Sequence, residues 1–191
     1  PALEKFKGFY LGGGTALALQ IGHRVSVDFD LFSSGRISKS LLAKARRIFA
    51  GKRVRVSVNN PDELTVFING TKITFLYYPF PVLTKFVAYD GVKMLSVKEI
   101  AVTKAYTMGR RGSFKDYVDL YFIFRGGRVS LENIIELASR KYGSEFNARL
   151  FMEKSVYLEY LEEAKLLFLK KAVKKQEIGV FFAAEVIKMK L

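Results

Sequence analysis

The stretch GGGTALALQIGHRVSVDFDLF, residues 12–32, carries the pattern from which the fold class of this chain can be predicted. Its three glycines separate a short apolar strand, predicted at residues 8–11, from residues 15–21, which are rich in Ala and Leu and predict a helix capped by Thr15. Apolar and polar residues then alternate over residues 25–32, a pattern typical of a strand. Strand, glycine turn, helix and strand in this order indicate a mixed α and β domain.

Two aspartates interrupt the second strand at positions 28 and 30. Alternation places Ser26, Asp28 and Asp30 on one face of this strand, with the Cα atoms of the two aspartates about 6.5 Å apart. Aspartate is unfavourable in strands, so a pair of them calls for a reason. Mg²⁺ prefers oxygen ligands and often takes one or two carboxylates together with substrate phosphates. We therefore predict that Asp28 and Asp30 bind Mg²⁺ or Mn²⁺; the alternatives are a solvated sheet face or an ion pair with Arg24.

The glycines supply a complementary feature. Gly13 and Gly14 lack β-carbons, so their backbone can approach a phosphate closely, and the N–H groups at the start of a helix point toward an anion. Thr15 would add a hydroxyl. The stretch is neither a G-x-G-x-x-G nor a Walker motif, and a tight connection is the alternative interpretation. Beside an acidic pair, however, a phosphate-binding turn is what nucleotidyl transfer requires.

The composition of the 191-residue chain favours polyanionic partners. It has 32 Lys+Arg against 18 Asp+Glu, a formal net charge of +14, which favours phosphates, nucleotides or RNA. Residues 31–61 contain no acid, and a solvated basic face is the alternative to a phosphate-binding surface there. The basic residues of this segment are Arg36, Lys39, Lys44, Arg46, Arg47, Lys52, Arg53 and Arg55.

Other sites and locations are disfavoured by what the chain lacks. It has no Cys, which excludes disulfides, thiolate metal sites and a cysteine nucleophile, and it has a single His. No apolar run approaches the ~20 residues needed to span a bilayer, and residues 1–7 show no signal-peptide pattern. We expect a cytoplasmic protein without a membrane partner.

The rest of the chain changes character after Pro79 and Pro81. Before them, residues 38–50 predict a helix, and residues 53–59, 63–68 and 72–78 predict strands, with Asn69-Gly70 as a hairpin turn. After them, helices are predicted at residues 96–108, 113–124, 131–142 and 157–175. The fold class is therefore α+β: a small mixed β-sheet core over residues 1–90, flanked by helices, and a mostly helical C-terminal region over residues 91–191 packed on it.

Two blocks of sequence resemble the AbiEii/AbiGii toxin family. The first comprises GGTAL (13–17), GHR (22–24) and SVDFDLF (26–32); the second comprises KA (104–105), RR (110–111) and KDYVDL (115–120). The similarity spans roughly residues 8–125. It implies a polymerase-β-like nucleotidyltransferase core, a nucleoside triphosphate (NTP) substrate, a divalent metal, and a toxin with a cognate antitoxin. Some members modify tRNA, which makes RNA the implied acceptor.

The resemblance also implies roles for individual residues. The catalytic set is Asp28, Asp30, Lys104 and Asp119; the nucleotide- and phosphate-binding set is Gly13, Gly14, Thr15, Arg24 and Ser26; and secondary candidates are Asp116, Arg110 and Arg111. The residues alone leave an alternative for two of these roles. Lys104 could be an ordinary solvated lysine on a helix, and Asp116 could serve only to cap a helix, since Ser113 and Asp116 form the capping-box pattern S-x-x-D. His23 is expected to hold its loop rather than act as a base.

One feature departs from the usual pattern of nucleotidyltransferase folds. A third catalytic carboxylate often lies on a later strand, but residues 72–78 contain no acid, and Thr74 occupies the corresponding slot. Either Asp119 supplies this carboxylate or the activity is weakened, altered or lost. The sequence thus predicts a metal-dependent nucleotidyltransferase, with a catalytically degenerate nucleotide- or RNA-binding module as the alternative.

Overall fold

The structure, a computed structural model, describes residues 2–189 and is built on one mixed seven-stranded sheet. Its strands are β1 Tyr10–Gly12, β2 Phe29–Ser33, β3 Val54–Asn59, β4 Glu63–Ile68, β5 Thr71–Tyr77, β6 Val87–Tyr89 and β7 Val92–Met94. Its helices are α1 Gly13–Ile21, α2 Leu41–Ile48, α3 Val97–Arg111, α4 Phe114–Arg125, α5 Leu131–Tyr142, α6 Ala148–Val156 and α7 Lys175–Lys188, with short 3₁₀ turns at Ala2–Lys5 and Gly143–Glu145. The predicted α+β class is confirmed.

The sheet has the strand order β3-β4-β5-β2-β1-β7-β6. β1 runs antiparallel to β2, β2 runs parallel to β5, and β3 to β5 form an antiparallel meander. The turn between β4 and β5 has positive φ angles at both Asn69 and Gly70, as the predicted Asn-Gly hairpin requires. This order brings β5 beside β2, so Thr74 lies directly opposite Asp30.

The two faces of the sheet have different environments. Asp30 and Thr74 share one face, because residues paired in register point to the same side. Leu31 and Phe75, their neighbours along the strands, point to the other side and are buried, and the ring of Phe6 lies 4.7 Å from that of Phe75. The apolar core therefore covers one face, and the acidic pair lies toward the other.

The strand predicted at residues 25–32 begins only at Phe29, so Asp28 precedes the strand. Residues 25–28 bond elsewhere: the N–H of Val25 donates to the carbonyl of Leu167, and the hydroxyl of Thr15 donates to the carbonyl of Asp28. Val27 is 64% exposed instead of joining an apolar face. The expected cap was also wrong: α1 begins at Gly13, with Gly12 as its N-cap and Thr15 inside it.

The C-terminal half confirms three predicted helices, as α3, α4 and α5, and overturns the fourth. Residues 157–174 contain no helix, and two helices that the sequence did not suggest, α6 and α7, flank them. The reason is a long-range pairing: Phe168 forms an antiparallel bridge with Arg24, and the N–H of Leu169 donates to the carbonyl of His23. These hydrogen bonds replace the ones that a helix would have made.

The predicted division into residues 1–90 and 91–191 stays a prediction. β7 follows residue 90 and pairs with β1, so the sheet itself extends beyond that boundary. Within residues 2–189 no helix is both long and apolar enough to cross a membrane.

Candidate active site

A cleft of about 490 Å³ lies between the Asp30 face of the sheet and the helices α3 and α4. Most of the predicted site residues line it: Gly13, Gly14, Arg24, Ser26, Asp28, Asp30, Lys104, Arg110, Arg111 and Asp116. The exceptions are Thr15 and Asp119, which are buried behind the wall of the cleft. Segments distant in sequence, around residues 13, 28, 104 and 116, thus form one site.

The acidic pair stands without partners inside the described chain. Within residues 2–189 neither the Asp28 nor the Asp30 carboxylate accepts a hydrogen bond or forms an ion pair. Burial raises the pKa of Asp30; the charge of Lys72 opposes this rise and the charge of Asp28 adds to it. A bound cation would offset both the cost of burying the Asp30 charge and the repulsion between Asp30 and Asp28.

Glycine is required at positions 13 and 14 because side chains of the site occupy the space of a β-carbon. At Gly13 a β-carbon would lie 2.5 Å from Oδ2 of Asp30, and the φ of +64° favours glycine in any case. At Gly14 a β-carbon would lie 2.6 Å from Nη2 of Arg24. The glycines therefore make room for Asp30 and Arg24; their contact with phosphate stays a prediction.

The acidic pair fits a hard divalent cation. Both carboxylates line the cleft, and they offer only oxygen ligands, which Mg²⁺ and Mn²⁺ accept. In the described part of the chain no group of three or more His, Asp or Glu residues could hold a metal. A cation here would take its remaining ligands from water and from substrate phosphates, as Mg²⁺ commonly does.

Asp119 lies at the centre of a buried ionic network. Its side chain is 0% exposed, and its oxygens bind Nε2 of His23 at 2.6 Å, Nε and Nη2 of Arg24 at 2.7 and 2.9 Å, and Nζ of Lys104 at 2.6 Å. Burial alone would raise the pKa of Asp119, but Lys104, His23 and Arg24 together hold it well below its usual range. Arg24 therefore pairs with Asp119, and not with Asp28 or Asp30 as the alternative had it.

His23 is held in this network through Nε2. This nitrogen donates its proton to Asp119, since the carboxylate can only accept one. Among the described residues, the buried Nδ1 of His23 has no hydrogen-bond partner. His23 thus fixes the loop after α1 and does not face the cleft.

Lys104 connects the network to the cleft. Its Nζ binds Asp119 and also Oδ1 of Asp116, 2.9 Å away. Burial tends to lower the pKa of Lys104, but Asp119 and Asp116 outweigh it and raise that pKa to about 12. Lys104 is therefore a permanent cation held in place, with one N–H left over from these two contacts.

Asp116 occupies two positions at once, at the cap of a helix and on the wall of the cleft. It caps α4, where its Oδ2 accepts hydrogen bonds from the N–H and the hydroxyl of Ser113, and it also lines the cleft. Burial would raise its pKa, yet Lys104 and these bonds from Ser113 lower it. The structure thus places Asp116, rather than Asp119, on the wall of the cleft.

Thr15 and Ser26 belong to the support of the site as well as to its predicted phosphate-binding part. The buried Thr15 hydroxyl lies 2.8 Å from that of Ser26 and contacts the carbonyl of Asp28. It thereby holds residues 26–28 at the start of α1, while the Ser26 side chain remains on the cleft wall.

An aromatic wall, which was not predicted from the sequence, forms one side of the cleft. Tyr77, Tyr78 and Tyr106 line it, and the ring of Tyr106 stacks on that of Tyr142, with centroids 3.9 Å apart. A signal was present, since Tyr77 and Tyr78 end the predicted strand and Tyr106 follows Lys104 by two residues. Their meeting, however, depends on how α3 packs beside β5.

Comparisons with known proteins identify the family. The family model described as "Nucleotidyl transferase AbiEii toxin, Type IV TA system" matches residues 1–183. The uncharacterized protein aq_aa25 of Aquifex aeolicus (strain VF5) is 33% identical over 157 residues, which cover 81% of this chain and 76% of that protein.

Two solved structures from Helicobacter pylori share the fold. One, described as a "putative nucleotidyltransferase", has a TM-score of 0.62 at 16% identity and is matched over 99% of this chain and 92% of its own. The other, JHP933, has a TM-score of 0.55 at 13% identity, over 99% and 89%. With a sheet, an acidic pair and a glycine turn arranged as described, and with a family model that matches almost its whole length, the chain belongs to the AbiEii nucleotidyltransferase family.

Proposed function

We propose that this protein transfers a nucleoside monophosphate from an NTP to an acceptor hydroxyl in a metal-dependent reaction. The observation that carries the proposal is the unpaired carboxylates of Asp28 and Asp30, which share one cleft with the fixed cation Lys104. The substrate of such a reaction is a triphosphate with a bound metal ion. The two carboxylates suit the metal ion, and the Lys104 ammonium suits the triphosphate. Membership of a nucleotidyltransferase family supports the same chemistry.

The residues of the cleft divide the work of binding. Asp28 and Asp30 would hold Mg²⁺ or Mn²⁺, which when bound neutralises charge on phosphate oxygens. The N–H groups of Gly13 and Gly14 and the hydroxyl of Ser26 would bind phosphate oxygens. Lys104 would bind the triphosphate as a point charge; because its pKa is about 12, it cannot serve as the base.

The reaction follows from this placement. The acceptor oxygen forms a bond to the α-phosphorus and loses its proton to solvent, while the bond from that phosphorus to the bridging oxygen breaks and pyrophosphate leaves with the electron pair. Asp119 acts indirectly, because its buried carboxylate positions Lys104 and Arg24 without reaching the cleft. Asp119 is therefore a positioning residue in this proposal.

We further propose an RNA acceptor. The sheet face that continues from Asp30 supports RNA in general, and the choice of tRNA rests on the family resemblance alone. Lys72 lies on that face, two residues from Thr74, and its charge acts on the Asp30 carboxyl. Next across the sheet come Phe67 and Arg55, whose guanidinium carbon lies 4.0 Å from the centroid of the Phe67 ring. Cations interleaved with an aromatic ring are typical of surfaces that bind single-stranded nucleic acid.

The family description also supports a biological setting. It names a toxin of a type IV toxin–antitoxin system, so we infer a toxin that acts in the cytoplasm and has a cognate antitoxin. Expression of the chain should arrest growth, and co-expression of the antitoxin gene should restore it. Growth arrest that persists when Asp28 and Asp30 are both replaced by Asn would contradict a toxic role for the transfer reaction.

The enzymatic proposal is tested by measuring which phosphate of the NTP is transferred to the acceptor. The protein is incubated with total RNA, Mg²⁺ or Mn²⁺, and each NTP labelled at the α- or the γ-phosphate. We expect label from the α-phosphate only, and at least a roughly 100-fold loss in the Asp28→Asn/Asp30→Asn variant. The Asp62→Asn/Asp90→Asn variant is the matched control, since it removes two carboxylates that do not line the cleft.

Two results would overturn the proposal. Label from the γ-phosphate would indicate a phosphotransferase. No label on any acceptor, with NTP binding unchanged in the Asp28→Asn/Asp30→Asn variant, would favour the degenerate binding module. One observation favours the degenerate binding module. Thr74, and not a carboxylate, occupies the register position opposite Asp30.

A further inference from the structure

The aromatic wall of the cleft is rigid. The ring planes of Tyr106 and Tyr142 are 11° apart, and Phe80 contacts both rings edge-on, at 5.6 and 4.7 Å between centroids. The hydroxyl of Tyr142 in turn lies 2.5 Å from that of Tyr78. One face of the Tyr106 ring is thus covered by Tyr142, and the opposite face is free to contact another side chain.

Arg110 takes that other face. Its guanidinium carbon lies 4.5 Å from the centroid of the Tyr106 ring, and its Nη2 bonds Oε2 of Glu145 at 3.0 Å. The Tyr106 hydroxyl donates to the same Glu145 oxygen at 2.7 Å. The Glu145 carboxylate therefore holds both the Tyr106 ring and the Arg110 guanidinium, so the Arg110 side chain is fixed at its tip.

This arrangement leaves Arg110 open toward the cleft. The Arg110 side chain is 53% exposed and lines the cleft, although Tyr106 and Glu145 hold it from behind. Glu145 offsets much of its charge, whereas Arg111 forms no ion pair in the described part of the chain and keeps its charge for phosphate. A planar, anchored and partly neutralised group suits a flat ligand better than an anionic one.

The distance from the proposed triphosphate site is also suitable. Lys104 and Arg110 are six residues apart on α3, which corresponds to about 9 Å along the helix axis. Phosphates bound near Lys104 would leave space for a ribose before Arg110 is reached. The part of an NTP that would then meet Arg110 is its base.

We propose that Arg110, held by Tyr106 and Glu145, is a platform on which the nucleobase of the NTP stacks. This inference rests on the proposed function, since it takes an NTP to be the substrate. Guanidinium planes and aromatic rings stack on bases with little regard to base identity. The platform therefore predicts that all four NTPs bind more tightly than the bare phosphate chain.

The test compares ATP with inorganic tripolyphosphate, each in the presence of Mg²⁺, by calorimetric titration. In the Arg110→Lys variant, which keeps the charge but loses the plane, we expect ATP affinity to fall at least about 10-fold and tripolyphosphate affinity to change less than about 2-fold. Arg111→Lys, on the same helix, should leave the ratio of the two affinities unchanged. Arg110→Phe, planar but uncharged, should retain more ATP affinity than Arg110→Lys.

Other outcomes would overturn the platform. Equal weakening of ATP and tripolyphosphate in Arg110→Lys would make Arg110 a phosphate ligand, and no change in either would remove it from the site. A wild-type protein that binds neither ligand would overturn this inference and the proposed function together. Failure of the transfer assay alone, with ATP binding intact, would overturn only the enzymatic function, because the calorimetry measures binding.

Discussion

Gly13 shows why the candidate site depends on the absence of a side chain at one position. Its φ of +64° is nearly the same as the +62° of Gly127, yet their surroundings differ. A β-carbon at Gly13 would meet the Asp30 carboxylate, whereas a β-carbon at Gly127 would have no heavy atom within 4 Å. A substitution by alanine should therefore strain the backbone equally at both positions. Only at Gly13 would it also displace the Asp30 side chain.

We predict that Gly13→Ala lowers nucleotidyl transfer at least about 10-fold, since Asp30 must move to admit the methyl group. The backbone conformation itself should cost about 1–2 kcal/mol of stability in both Gly13→Ala and Gly127→Ala. Transfer rates and urea unfolding of the two variants measure the effects separately. Equal loss of transfer in both variants would show that strain, rather than contact with Asp30, controls the activity.

Asp119 joins three secondary-structure segments of the fold. It projects from α4 and binds Lys104 of α3 together with His23 and Arg24 after α1. A second buried pair does similar work nearby: Lys141 of α5 binds Glu99 of α3, and Glu99 also accepts hydrogen bonds from the backbone of residues 83–84. Buried charges thus join α3 to α4, to α5 and to the backbone of residues 83–84, and they join α4 to the residues after α1.

We predict that Asp119→Asn destabilises the protein at neutral pH by about 3–5 kcal/mol, because Arg24 and Lys104 remain buried without their shared counterion. The folded protein lowers the pKa of Asp119, so its contribution is fully present above the unfolded value of about 4 and is lost as pH falls toward the folded value. Urea unfolding at several pH values from 7 to 3 measures this.

The variant should lose less stability on acidification than the wild type does. Asp28→Asn is the control, since its carboxylate has no ion pair within residues 2–189 and its loss should leave stability within about 0.5 kcal/mol. The same dependence on pH in wild type and Asp119→Asn would show that the network does not contribute as the geometry indicates.

In the folded molecule, the basic residues of segment 31–61 do not all lie on one surface. Lys44 lies over the ring of Phe6 and Lys52 over that of Phe49, in the apolar layer that covers the Phe75 face of the sheet. Arg55 lies on the opposite face, which it shares with Lys72 and the acidic pair. The net charge of +14 therefore attracts polyanions generally, and only part of it borders the cleft.

We predict that binding of single-stranded RNA weakens with salt and that Arg55→Gln/Lys72→Gln reduces the slope of log K against log salt by about 1.4, roughly 0.7 for each lost phosphate contact. Lys44→Gln/Lys52→Gln removes the same charge from the other face and should leave that slope nearly unchanged. Fluorescence anisotropy between about 50 and 200 mM salt measures both. Equal reductions would mean that RNA follows net charge and not the cleft face.

Much of the fold could be predicted from local patterns. The hairpin at Asn69-Gly70 and the helices α3 to α5 follow from turn chemistry and periodicity, which act within a few residues. Residues 157–174 could not be predicted in this way. Their composition is compatible with a helix, but hydrogen bonds to His23 and Val25, far away in the chain, decide their conformation.

The linear sequence was enough to identify the family of this protein and to point to the candidate site. Gly13, Asp28 and Asp30 lie within 18 consecutive residues, so α1, the segment that follows it and the start of β2 bring them together. The burial of Asp119, the position of Asp116 on the cleft wall and the ion pair of Arg110 with Glu145 became visible only in the folded chain. Residues far along the chain determine the burial and the ion partners of a side chain, so local sequence periodicity does not predict them.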